Sequence, residues 1–506
     1  MQQVDLAFVN GKLFAPDRDQ AQALAVCNGR IAALGSDVQV RALVDETTRV
    51  VDLGGRALLP GFVDAHTHLL TTGLQRTFYL DAHTASLDDL LQKVEAVARQ
   101  RPQGQWIVGR GWDESTWEAA RYPSLYDLDR VAPQHPVALI RVCGHILSVN
   151  SAALGAVALK DNAVTVDRAH GWLREESAWG FLDHVEPDLD ERVRALEAGI
   201  YHAHARGVTS IHDVVDTKVI QAYGVLQRAG KLNLRVRLNL VRETFDALLK
   251  TGLRGEFGDD FLRLGALKLF ADGSIGARNA ALLEPYEGEP RTRGELNLNY
   301  GQQALVAWLR KGHENGFQLM VHAIGDGAIG AVLDAYEAVG IAPQHRARVE
   351  HLELPHDEHL ARMERLGVVA SMQPNFLQWS GAGKLYEQRL GAERDALIDP
   401  HRRVLEHNVP LAFGSDSMPL DPLYGVRLAL SAPHEAQRLL LEQALRGYTA
   451  GGAYAGRCEA RLGTLELGKA ADVIVLGDDP FKTPQTLERC RVEQTYVAGQ
   501  QVYPTT

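Results

Sequence analysis

The chain has 506 residues, 45% hydrophobic and 23% charged, an ordinary globular balance with length for two to four folding units. Its formal net charge is −11 and no Lys/Arg run exceeds a pair, which excludes a phosphate-tracking surface, so no nucleic acid partner is expected. No stretch of 18 apolar residues occurs, so no membrane-spanning helix is expected either.

The N-terminal MQQVDLAFVNGKLF lacks the charged and apolar regions of a secretory leader. Cys27, Cys143, Cys458 and Cys490 are scattered, without CxxC or Cys/His spacing, and read as reduced, mostly buried thiols of a cytoplasmic protein. Residues 1–57 carry short β signals, VDLAFVNGKLF, ALAVCNGRIAALG and TRVVDLGG. Asn-Gly pairs sit between the apolar runs, and both residues tolerate the positive φ of hairpin turns. The texture returns in KAADVIVLG and VEQTYVAGQQVY, so residues 1–57 and 455–506 are expected to build one small β-sandwich domain.

Between these ends, strands alternate with helical segments, the pattern of parallel βα units. Eight strands are expected: GFVDAHTHL (61–69), VTSIHDVV (208–215), LRVRLNL (234–240), RLGALKLFA (263–271), FQLMVHAIG (317–325), RARVEHL (346–352), VVASMQPN (368–375) and VPLAFGSD (409–416). That number with intervening helices predicts an α/β fold, a (β/α)8 TIM barrel over residues 58–69 and 185–454, whose active sites lie at the C-terminal strand ends. About 140 residues separate the first strand from the second, far more than a βα connection needs. Residues 70–184 are therefore expected to form an insertion, a lid or substrate-binding subdomain. It holds five of the seven tryptophans: Trp106, Trp112, Trp117, Trp172 and Trp179.

His66 and His68 lie at positions i and i+2 of the first strand, so both imidazoles face the barrel interior, and neutral imidazole is a strong ligand for zinc and similar metals. His202 and His204 repeat the spacing within ALEAGIYHAHARG, which has helical character. There i and i+2 sit about 200° apart around the axis, so that pair is expected to be structural. The first pair has company. Lys268, His322, His351 and Asp416 each end a different predicted strand, giving six candidate ligands at one barrel mouth.

This set, with LLPGFVDAHTHL, LKLFADGSIGAR, VHAIGDGA, VEHLEL, FGSDSMPLDP and LGTLELGKAADVIVL around it, resembles the amidohydrolase superfamily. Within it, the likeness is to N-substituted formamide deformylases and AepA-like proteins, from about residue 4 to residue 503. The resemblance implies a binuclear site of two divalent metals, zinc the expected ion, with Lys268 carboxylated on its side-chain nitrogen. His66, His68 and Asp416 would hold one metal, His322 and His351 the other, with Lys268 between. A free lysine would set a positive charge beside the cations, whereas a carbamate is anionic and has two oxygens. Asp416 is the expected catalytic acid/base, taking a proton from the attacking water and returning it to the leaving nitrogen.

The expected reaction is hydrolysis of a non-peptide carbon–nitrogen bond in a small amide or formamide. Carbamates, lactones or cyclic amides are alternative substrates, and a non-catalytic, AepA-like regulatory role is the rival from another class. A homodimer is open as an assembly. Trp112, beside the glycines of GRGW, and His145, in RVCGHILSVNSAAL, are expected to contact substrate from the insertion. Asp272 and Asp326, after the fourth and fifth strands, are expected at substrate or behind a histidine; His212 is a weaker candidate, and His356 and His359 are expected to be solvated.

Overall fold

A computed structural model describes residues 3–15, 21–118, 121–141, 146–158, 165–182, 184–185, 187–296 and 301–505. Two compact units divide the chain: Met1–Leu69 with Ile200–Thr506, and Leu70–Gly199. No helix among the described residues is long and apolar enough to cross a membrane.

The larger unit is built on eight parallel strands paired in chain order: β1 (Phe62–Thr67), β2 (Val208–Val215), β3 (Arg235–Val241), β4 (Leu262–Phe270), β5 (Gln318–Ala323), β6 (Arg348–His351), β7 (Val369–Met372) and β8 (Leu411–Phe413). Each expected strand overlaps one of these. Nearly every residue in them is buried, as parallel strands covered on both faces require. The connecting helices carry readable stop signals; the one spanning Asp326–Val339, for instance, ends on left-handed Gly340. The barrel closes where β8 meets β1: the Asp416 N–H donates to the His66 carbonyl at 2.8 Å, and the Ser415 N–H to Asp64 Oδ1 at 2.9 Å. Gly414 makes that approach possible, because a Cβ there would fall 2.4 Å from the His66 nitrogen.

The same unit contains a two-sheet sandwich. One sheet is four-stranded and N-terminal (Arg30–Gly35, Ala23–Cys27, Leu6–Val9, Arg49–Asp52). The other joins Lys12–Leu13 and Ala57–Pro60 to the C-terminal Val473–Leu476, Val492–Val497 and Gln500–Tyr503. Leu6, Phe8, Leu24, Val473, Val475 and Tyr496 form one buried cluster, with Phe8 edge-on to Tyr496 at 4.9 Å. Among the described cysteines, Cys27, Cys458 and Cys490 are free; Cys143 lies outside the described residues.

Leu70–Gly199 has its own six-stranded sheet and its own core. Trp112 belongs to that core, which corrects the expectation that it lines a substrate pocket. It has no exposed surface, its Nε1 donates to the Leu139 carbonyl at 2.9 Å, and its ring packs against Tyr122 and Trp117 at 5.3 and 6.3 Å. The indole nitrogens of Trp117 and Trp172 are likewise spent on the carbonyls of Thr84 and Pro123. His145 lies outside the described residues. Because Trp112 fills a core, Trp112→Ala should destabilise this unit by about 3–5 kcal/mol. Denaturant unfolding followed by limited proteolysis within 70–199 would measure it, and a loss below about 1 kcal/mol would return Trp112 to the surface.

Candidate metal centre

β1 alternates, so Asp64, His66 and His68 share a face. His66 is buried, with Nδ1 against Glu350 Oε2 at 2.5 Å and Nε2 turned to Asp416 Oδ1 at 3.7 Å. His68 Nε2 lies 3.2 Å from the same oxygen, with the side chain 38% exposed. One ligand atom from each of His66, His68 and Asp416 falls within 4.8 Å of the others, the compass of a single cation.

The other two histidines adjoin this trio. The rings of His66 and His351 are 4.9 Å apart, and those of His351 and His322 are 4.4 Å apart. His351 engages Gln373 Oε1 through Nδ1 at 2.7 Å, and His322 engages the Gly273 carbonyl through Nε2 at 2.9 Å. His66, His322 and His351 therefore each commit one ring nitrogen to the protein and keep the other, the arrangement that orients a metal ligand. All three are held in the neutral form a metal needs. Burial pushes His66 and His351 well below the ordinary range, helped by Lys268 and His322 respectively, and pushes His322 to about 4.

The backbone departs from strand geometry where these ligands emerge. His351 and Leu352 have φ of 72° and 51°, and Asp416 and Ser417 have 50° and 59°. Left-handed conformations in non-glycine residues cost of the order of 1–3 kcal/mol each and persist only where the surroundings enforce them. Here the Leu352 N–H is tied to the Ala323 carbonyl, the Asp416 N–H to the His66 carbonyl, and the Ser417 hydroxyl accepts from the His68 N–H.

Lys268 lies on β4, 1% exposed, and its Nζ has no hydrogen-bond partner among the described residues. Burial lowers its amine to about 8. An unpaired buried ammonium is costly, so the residue is suited to chemistry that consumes its charge. Divalent cations would fit this donor set of four histidines and an aspartate, beside Lys268, whose Nζ lies 5.0 Å from the centre of the Phe270 ring.

Several residues that hold this arrangement escape a reading of the sequence. Arg348 and Glu350, both fully buried, pair through Nε–Oε1 and Nη2–Oε2 at 2.9 and 3.0 Å. Arg348 also donates to the Ala65 carbonyl (2.6 Å), Ser371 Oγ (2.9 Å) and His212 Nδ1 (3.0 Å). Asp213 accepts from the Leu69 N–H and the Tyr223 hydroxyl, fixing the chain just past His68. Charged residues at alternating positions of a strand that must be buried were the available signal. His212 points into this interior layer and not to the barrel mouth.

Asp272 and Asp326 spend their oxygens on backbone N–H groups and on histidines, as the alternative of a place behind a histidine has it. Asp272 accepts from the N–H groups of Ala281, Ile324 and Gly325, stitching the loop after β4 to the loop after β5, 3.4 Å from His322 Nε2. Asp326 accepts from Leu283 and Gly327 N–H and pairs with His356 Nε2 at 2.9 Å. Nor are both histidines of PHDEH solvated: His359 is buried, its Nδ1 accepting from the His356 N–H. His202 and His204 do lie on a helix, Leu189–Ala205, and turn to different partners, Leu420 O and Asn233 Oδ1.

Residues 49–503 match the model of the amidohydrolase family. The chain is 31% identical to the provisionally named amidohydrolase YtcJ of Bacillus subtilis, over 96% of each chain. It is 29% identical to the N-substituted formamide deformylase of Arthrobacter pascens, over 98% of this chain and 97% of that one. Among solved structures, an uncharacterized metal-dependent hydrolase from Pyrococcus furiosus superposes with a TM-score of 0.84 at 30% identity, covering 94% of this chain and all of the other.

Removing one partner of a buried ion pair strands the other charge, so Arg348→Met should cost about 3–5 kcal/mol in urea unfolding. The double variant with Glu350→Gln should recover part of it. A single variant as stable as the parent would show that the pair anchors nothing.

Proposed function

The chain belongs to the amidohydrolase family, and on that premise we propose that it hydrolyses a non-peptide carbon–nitrogen bond in a small amide or formamide. The observation that carries the proposal is the convergence of His66, His68 and Asp416 within 4.8 Å at the C-terminal barrel mouth, beside His322, His351 and Lys268, whose Nζ has no hydrogen-bond partner among the described residues. The formamide deformylase relative supports the reaction type.

In this reading His66, His68 and Asp416 would hold one divalent cation and His322 and His351 a second, zinc being the first candidate, with Lys268 as a carbamate completing the set. Bound there, the cations would lower the pKa of water towards neutrality and polarise a carbonyl oxygen. The protein's own part is proton transfer and placement. Asp416 accepts the proton of the attacking water and delivers it to the leaving nitrogen, which cannot depart as an amide anion. His68 and Asp416 form the open side of the cluster, 38% and 17% exposed, where substrate arrives. Phe270, 41% exposed with its ring 5.6 Å from that of His322, offers the apolar surface for a substituent that Trp112 does not.

Asp416→Asn keeps an oxygen ligand and loses the proton acceptor. Turnover of N-formyl amines should fall by about 10²–10⁴-fold with metal content retained by elemental analysis. Near-normal turnover would remove Asp416 from the mechanism, and a parent enzyme that turns over lactones or carbamates but no amide would change the reaction class. Lys268→Ala should lose metal while far-ultraviolet circular dichroism stays native; a full complement of metal in that variant would disprove the bridge.

A further inference from the structure

A cavity lined by several arginines lies at the opposite end of the barrel from the His66, His68 and Asp416 cluster. Its volume is about 200 Å³. The middle of β2 contributes His212 to its wall, and the N-terminal halves of β3 and β4 contribute Arg235, Arg237 and Arg263; Arg30 comes from the sandwich and Arg461 from the segment following the barrel.

The charges around it do not balance. Asp472 is fully engaged by Arg235, at 2.7 and 3.0 Å, and Asp259 by the N–H groups of Phe261 and Leu262 and by Gln227. Neutral donors leave the charge of Asp259 in place, so apart from the Arg235–Asp472 pair three carboxylates, Glu256, Asp259 and Asp260, face five guanidiniums, those of Arg30, Arg237, Arg263, Arg457 and Arg461. Glu256 is shared by Arg237 at 2.5 and 2.8 Å, Arg457 at 3.4 Å and Arg263 at 3.9 Å, while Asp260 is shared by Arg461 and, at 3.9 Å, Arg263. Arg30 has the Gly468 carbonyl, which carries no charge. Burial and mutual repulsion act together: Arg461 is pushed below its ordinary value by burial, then by Arg235 and Arg30, and Arg457 by burial, then by Arg237.

Two buried N–H groups in its wall have no partner among the described residues: Arg237 Nε and His212 Nε2. The histidine is the more telling. Arg348 Nη1 is a donor only, so His212 Nδ1, 3.0 Å away, must accept from it. The proton of the neutral ring is then on Nε2, which faces the cavity wall at Gly456, where a Cβ would lie 2.4 Å from it. Surplus guanidiniums and unsatisfied donors around one partly open cavity call for an acceptor with several oxygens and negative charge.

We propose that this cavity binds a phosphate-class oxyanion, as the free ion or as the phosphate of a monoester. The test titrates the metal-loaded protein with inorganic phosphate at constant ionic strength, by calorimetry and by thermal shift. One saturable site per chain is expected, weakened about tenfold or more in Arg461→Gln and in Arg237→Gln, the worth of one charge-assisted hydrogen bond. Arg461 is 31% exposed, so its variant decides the matter if Arg237→Gln fails to fold. Arg402→Gln, on an arginine paired elsewhere with Glu406 and Glu435, should bind as the parent does, and so should Asp416→Asn. Glycerol phosphate binding more tightly than phosphate would assign the monoester, and equal or weaker binding the free ion. Absence of a saturable site, or binding lost in Asp416→Asn and kept in both cavity variants, would overturn the proposal.

Discussion

Arg348 and Glu350 face each other on one strand without access to water. Burying such a pair is expensive, and an apolar replacement of similar shape is often no less stable. What the pair does here is positional. Arg348 spends its remaining N–H groups on β1 through Ala65, on β7 through Ser371 and on β2 through His212, and Glu350 uses its other contact to hold His66 Nδ1. Four strands and one ring orientation thus depend on a single guanidinium. His66 in turn meets Asp416 and the His351 ring, so the alignment of the barrel mouth begins one layer below it.

Above that layer the histidines divide their two nitrogens between protein and centre. Gln373, Gly273 and Glu350 take one each, from three different loops or strands. The lysine has no such division. Its Nζ lies amid groups whose charge it perturbs, His66, His322, His351 and Asp416, yet it bonds to none of them. A rigid set of neutral donors around one unpaired nitrogen is a shape prepared for ions in advance, and preorganisation of this kind limits what must move during reaction.

The barrel was legible, and with it the strand-end places of His66, His68, His322, His351 and Asp416, because parallel strands obey period rules. Fully buried parallel strands read as apolar runs, and a polar residue at the C-terminal end of such a run has few reasons to be there. Arg348 and Glu350 were harder to place: charges alternating in RARVEHL look the same whether they face water or a barrel interior, and only the burial that a parallel barrel strand requires marks them. Trp112 misled for a related reason: aromatic residues beside glycines mark pockets and cores alike, and only its bond to Leu139 O and its contact with Tyr122 decide between them. Asp272 and Asp326 stand in Asp-Gly turns at the rim, and local sequence does not reveal that their oxygens are taken by backbone amides from other loops.

The seam between β1 and β8 joins residues far apart in the chain: Ser415 binds Asp64 across 351 positions. The sandwich reaches further, with Lys12 bound to Asp479 across 467. A ribosome releasing this chain therefore makes the first metal ligands long before their partner Asp416 exists, and β1 has no second edge to pair with until β8 emerges. The Leu70–Gly199 unit, by contrast, is one contiguous stretch and can assemble while the rest is still being synthesised. Closing so long a loop is slow relative to local structure. Until β8 is made, the edge of β1 that β8 covers has no partner, and an unpaired apolar strand edge is a general site of aggregation.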